Sequence, residues 1–141
     1  MSVVRDVLPE RGSLAGLYTA LSVTQSAILV TAWDMPFVPS ALLAAIRAVG
    51  EQRECAVVPE FGGRWQPFCA YYPRAAIDVA KRQLDAGDQR MRSFLNALPC
   101  VDRFADARLL RFGAPDVMFF NVNSPDDLEQ ARVVANAARH A

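Results

Sequence analysis

Hydrophobic positions along the chain follow two rhythms. "SVVRD" at 2–6 and the unbroken apolar run "AILVTA" at 27–32 read as strands, the second with the continuous hydrophobicity of a strand covered on both faces. Between them, after "GS", Leu14, Leu17, Tyr18 and Leu21 recur at helical spacing, and Ser13 is placed to cap that helix. "SALLAAIRAV" at 40–49 predicts a second helix, with Pro39 near its start and Gly50 just past its end. "CAVVP" and "QPFCAYY" predict two strands joined through "EFGGRW", where Gly62 and Gly63 suit a hairpin turn and make the pair antiparallel. "RAAIDVAKRQLDAG" and "QRMRSFLNAL" are helical, separated at Gly87 and Asp88. "RLLRF" and "FFNVN" read as strands, and a last helix begins at Pro125. Strands alternating with helices in this way predict a layered α/β fold with a mixed sheet.

Composition narrows the function. With 141 residues and 52% hydrophobic content, and with no repeat or Gly/Ser-rich linker, the chain predicts one domain over residues 1–141. Fifteen basic residues balance fifteen acidic ones, so no net field gathers nucleic acid or an anionic membrane, and neither is an expected partner. Of the basic residues only Lys81 is lysine; genomic base composition accounts for that more simply than phosphate recognition does. No leader or spanning segment is legible, and the expected location is cytoplasmic. Cys55, Cys69 and Cys100 are widely spaced, odd in number and far from any histidine, which reads as small hydrophobes rather than a disulfide framework or a zinc site. The only histidine, His140, is next to last. Histidine-based catalysis and multi-histidine metal sites therefore have nothing to draw on, and the chemistry falls to carboxylates, amides, arginines or a hard metal.

Two short stretches carry that chemistry. Asp34 stands at the exit of "AILVTA", and in layered α/β sheets ligands collect beyond the carboxyl ends of the strands. One aspartate there can start a magnesium site, because magnesium is commonly held by one or two carboxylates plus substrate phosphates; Asp34 equally suits a local turn shaped by Pro36 and Pro39. Asn121 and Asn123 lie two apart, so on a strand both amides would face one side. The "SPDD" that follows is a helix start: Ser124 at the N-cap, Pro125 at the first position, Asp127 three after the cap. Asn123 also suits an Asx-turn.

Taken together, "GSLAGLYTAL", "VTAWDMPF", "GGRWQPFCAYY", "LDAGDQRMRSFL" and "FFNVNSPDDL" occur in the order found in molybdenum cofactor guanylyltransferases, which the chain resembles across nearly all its length. The resemblance implies a three-layer α/β/α nucleotidyltransferase fold, Rossmann-like with a mixed sheet. It also implies transfer of GMP from GTP to Mo-molybdopterin, with pyrophosphate released and Mg2+ as cofactor. Residue by residue, it makes Asp34 the magnesium ligand, sets Asp6, Gly12 and Gly16 beside GTP, and turns Arg64, Gln66, Gly87, Arg90, Asn121 and Asn123 toward the pterin or its phosphate. Related cytidylyltransferases carry Asp-x-Asp-Thr-Pro where this chain has Asn121 and Asn123, which favours the guanylyl branch.

The family opens with a strand and a Gly-rich loop followed by a lysine, and no such motif occurs in this sequence, so the match is to the C-terminal two thirds of a typical member. Trp33 stands for the usual Cys, Ser13 for Pro and Ser124 for Thr. Without the central strand "AILVTA" should lack a neighbour, an open edge of the kind that invites another chain. Two readings follow: a guanylyltransferase completed by a separate chain or by residues ahead of Met1, or a noncatalytic remnant binding molybdopterin or a molybdoenzyme.

Overall fold

A computed structural model describes residues 2–5, 13–32, 34–122, 124–127, 129–130 and 133. Six strands, β1 (Ser2–Arg5), β2 (Ile28–Thr31), β3 (Ala56–Phe61), β4 (Arg64–Trp65), β5 (Cys69–Tyr72) and β6 (Val101–Ala105), form one sheet. Its order is β1-β2-β5-β3, with β3 flanked further by the hairpin strand β4 and, from Ala56 to Glu60, by β6. β1, β2, β3 and β6 run in one direction; β5 and β4 run against them.

The buried strands alternate strictly between two cores. Ile28, Val30, Ala56, Val58, Ala70 and Tyr72 face a layer of α1 (Ser13–Thr24), α3 (Ala76–Asp85) and α4 (Met91–Ala97). Leu29, Val57, Cys69 and Tyr71 face α2 (Ser40–Arg53), α5 (Ala107–Leu110) and α6 (Pro115–Met118) on the other side. Every residue of β2 and β5 is buried because helices cover both faces, which is why these strands read as apolar runs rather than alternations. The architecture is the expected three-layer α/β/α sandwich.

Several local expectations need correction. The edge left by "AILVTA" is filled: β1 pairs in parallel with β2, Ser2 opposite Ile28 and Arg5 opposite Thr31. Gly50 does not stop α2. The helix runs on to Arg53 and ends at Glu54 in the left-handed region (φ 55°), and Gly50 stays inside because the Tyr71 ring lies against it. "RLLRF" is not a strand: residues 107–110 form the one-turn helix α5, and the strand lies just before it at Val101–Ala105. "FFNVN" is not a strand either, since Phe119 closes α6 and residues 120–122 are irregular. Cys55 and Cys100 are disulfide-bonded, their Cα atoms 5.1 Å apart, because the ladder sets the starts of β3 and β6 side by side. Cys69 does behave as a buried hydrophobe, and burial pushes its thiol up to about 12. The Ser124 cap is made, its hydroxyl accepting the Asp127 N–H at 3.1 Å.

Candidate active site

Four strand ends and the loops that leave them define one rim of the sheet. Asp34 follows β2 in a turn and is half-buried. Its backbone carbonyl accepts the N–H of Val122 at 2.7 Å, which draws the stretch from Phe119 back across the molecule to the β2 exit and sets the exposed Asn121 close in sequence to that anchor. Phe119 in turn meets the ring of Phe61 at the end of β3, centroids 6.5 Å apart, so the hairpin and the asparagine-bearing segment are joined.

The hairpin supplies the third wall. Gly62 (φ 59°) and Gly63 (φ 73°) take the left-handed conformation at both turn positions that a two-residue hairpin requires, and Arg64 falls opposite Phe61. Gln66 is locked by its own backbone, donating to the Pro59 carbonyl at 2.8 Å and accepting from the Cys69 N–H at 3.2 Å, so its side chain leaves from a fixed point between β3 and β5.

A cleft of about 260 Å³ opens between this hairpin and α4, lined by Gly63, Arg64, Trp65, Pro67, Met91, Arg92 and Leu95. Behind the lining, the buried Tyr72 hydroxyl donates to the Pro67 carbonyl at 2.6 Å, and its ring meets that of Phe94 on α4, centroids 6.0 Å apart. Burial, with Cys69 adding to it, pushes the Tyr72 hydroxyl far above its ordinary range, so it stays a donor. Arg103 lies over the Trp65 ring at 4.8 Å and reaches Glu60 at 3.5 Å.

Of the residues singled out in the sequence, Asp34, Arg64, Gln66 and Asn121 fall on this rim. Gly16 lies inside α1, half-buried, and Gly87 (φ 77°) is the turn after α3. Asp6, Gly12 and Asn123 lie outside the described residues. Arg90 is not among the residues lining the cleft; its guanidinium forms two bonds of 2.8 and 2.9 Å with Asp88, whose carboxyl is held well below its usual range by those hydrogen bonds. Arg92, two positions on, does line the cleft. Trp65, Met91, Arg92 and Leu95 lie within the stretches "GGRWQPFCAYY" and "LDAGDQRMRSFL", but nothing in the sequence shows that the hairpin and α4 come together to make one cleft.

Among the described residues no group of three or more His, Cys, Asp or Glu could cage a metal. A single half-buried carboxylate fits a magnesium ion that shares its coordination with a ligand's phosphates rather than one held wholly by protein.

Comparison with known proteins turns this geometry into a family. Residues 1–103 match the model of the MobA-like NTP transferase domain. The chain belongs to that family. A molybdenum cofactor guanylyltransferase from Desulfosudis oleivorans is 32% identical over 136 residues, which cover 95% of this chain and 66% of that protein. A probable molybdenum cofactor guanylyltransferase from Pelotomaculum thermopropionicum is 34% identical, covering 99% and 67%. The crystal structure of a molybdopterin-guanine dinucleotide biosynthesis protein A from Archaeoglobus fulgidus superposes with a TM-score of 0.76 at 32% identity, over 89% of this chain and 64% of that one. The MobA-like domain described here thus spans about two thirds of the length of the relatives it matches. No helix among the described residues is long and apolar enough to cross a membrane.

Proposed function

We propose that this MobA-like chain acts as a molybdenum cofactor guanylyltransferase: an oxygen of the terminal phosphate of molybdopterin bonds to the α-phosphorus of GTP, and the bond to pyrophosphate breaks. The observation that supports this reading most is the Val122 to Asp34 hydrogen bond, which brings together two stretches that the sequence holds 88 positions apart. Transfer of this kind needs positioning and charge neutralisation rather than a protein nucleophile, which agrees with a chain whose only histidine is His140. Asp34 would hold magnesium together with the GTP phosphates. When bound, the metal neutralises phosphate charge and so lowers repulsion toward the incoming phosphate. Arg64 offers a planar two-pronged donor to the acceptor's phosphate, and Gln66 and Asn121 offer amides to its polar edges.

The test is formation of labelled dinucleotide from α-labelled GTP, magnesium and molybdopterin by the purified chain. Wild type should form it, and Asp34→Asn should lower the rate about a hundredfold. Equal rates would remove Asp34 from the reaction. Preference for CTP would make the chain a cytidylyltransferase. The alternative outcome is a noncatalytic molybdopterin binder. Molybdopterin binding without magnesium-dependent GTP binding would establish it.

A further inference from the structure

The two joined cysteines meet solvent unequally. Cys55 is 5% exposed just ahead of β3, whereas Cys100 is exposed in the short stretch between α4 and β6. Other contacts hold the same two stretches together without the sulfurs. The Ala56 N–H donates to the Cys100 carbonyl at 3.2 Å, the β3–β6 ladder begins with Ala56 opposite Val101, and Arg53 reaches Asp102 at 2.6 Å. Cys55 is therefore pinned from both sides, by Arg53 and by Ala56, and Cys100 is pinned through its own carbonyl and the two residues after it. Opening the sulfur–sulfur bond leaves the two sulfurs neighbours, ready to close again. Thiol–disulfide exchange starts at the sulfur a thiolate can reach, and an exposed disulfide is the labile kind. Here the residue open to attack is Cys100.

We propose that Cys100 is a site of reversible thiolation by a low-molecular-weight thiol, with Cys55 as its resolving partner. The attacking thiolate bonds to the Cys100 sulfur as the Cys55–Cys100 bond breaks, and the electron pair goes to the Cys55 sulfur, which takes a proton from water. In the return step Cys55 gives up that proton, attacks the Cys100 sulfur and expels the small thiol. Alternatively, a second small thiol attacks the first at its sulfur, which frees Cys100 and leaves two protein thiols and a small-molecule disulfide. Exchange with that small-molecule disulfide runs the sequence backwards and restores the bond. Cys69 takes no part, because it is buried in β5. The site stands apart from the guanylyltransferase reading, since Cys55 precedes the start of β3 and the hairpin leaves its end.

The experiment uses the native full chain and glutathione. Wild type is incubated with reduced glutathione, alkylated without denaturant and digested after arginine, which places Cys55, Cys69 and Cys100 in separate peptides. Cys100 should be labelled at least about tenfold faster than Cys55, and Cys69 should stay unlabelled, showing that the bond opens in the folded chain. Oxidised glutathione should then close it again. Cys55→Ser removes the resolving thiol, so oxidised glutathione should leave one glutathione on Cys100 that persists until a dithiol is added. Cys100→Ser should take up glutathione at least about tenfold more slowly, because Cys55 is buried. Cys100 that stays unlabelled in native wild type, or is labelled only together with Cys69, overturns the proposal, as does equal uptake by the two variants. The wild-type labelling decides alone where a variant does not fold.

Discussion

Gly50 shows how one missing side chain fixes a helix on a sheet. A Cβ built there would lie 2.1 Å from Cδ1 of Tyr71 and 2.5 Å from two further ring atoms. Gly50→Ala should therefore force the ring or the helix aside at a cost of about 1–3 kcal/mol, which exceeds the gain of about 1 kcal/mol from better helix propensity. A net drop in the denaturation midpoint is expected, and a rise would show that α2 can slide. Four residues on, Glu54 takes a left-handed conformation that glycine adopts without strain, so Glu54→Gly should stabilise by about 0.5–1 kcal/mol in the same measurement. Asp102 is buried between Arg53 (2.6 Å) and Arg108 (2.7 Å). Burial pushes its carboxyl up, but the bonds from Arg108 and Arg53 outweigh that and hold it below the usual range. Because the folded pKa is the lower one, the stabilisation is full above the unfolded value of about 3.9 and is lost as pH falls through the folded value. Asp102→Asn should cost about 1–3 kcal/mol near neutrality, and the gap to wild type should close below about pH 4. A gap unchanged at low pH would mean that the carboxylate's charge contributes nothing.

Elements were legible where one local rule decided them. Strands β2, β3 and β5 announce themselves because both faces are buried, and the hairpin because two glycines meet the backbone demand of its turn. β6 escaped because one of its two buried positions is Asp102, a charge that makes sense only once Arg53 and Arg108 are beside it. α5 is a single turn, too short for any period to show. "FFNVN" misled because its conformation is set by a contact with Asp34, and no local pattern encodes a partner that far along the chain. Asp34 and Asn121 could each be picked out, but not the approach of the segments that carry them, and not the cleft. That approach is testable: Val122→Pro deletes the N–H that holds the segment to Asp34. Dinucleotide formation should fall at least about tenfold, while stability drops by only about 1 kcal/mol. Unchanged turnover would detach the asparagine segment from function. Tyr72→Phe tests the hairpin's support, since it leaves the Pro67 carbonyl without the hydroxyl and should lower stability by about 1–3 kcal/mol, read as a drop in the denaturation midpoint.

The molecule is fastened at one end of its sheet and open at the other. Cys55 and Cys100 join the starts of β3 and β6, reinforced by the bond from the Ala56 N–H to the Cys100 carbonyl and by Arg53 on Asp102. The rim with Asp34 and the hairpin lies at the other end of the sheet, beyond the ends of β2 and β3, where loops can differ without disturbing the ladder. The disulfide closes a loop with a sequence separation of 45, and chain entropy sets its contribution at about 4 kcal/mol as a ceiling. Cys55→Ser with Cys100→Ser should lower the guanidinium midpoint by an amount within that ceiling, and dinucleotide formation should change little, because the bond sits at the opposite end of β3 from the hairpin. Thiol titration checks the pairing itself. The unreduced chain should show no reactive thiol when native, since Cys69 is buried with its thiol raised to about 12, one when denatured, and three after reduction. Three before reduction would remove the disulfide, and the β3–β6 ladder would then rest on its hydrogen bonds and the Asp102 ion pairs alone.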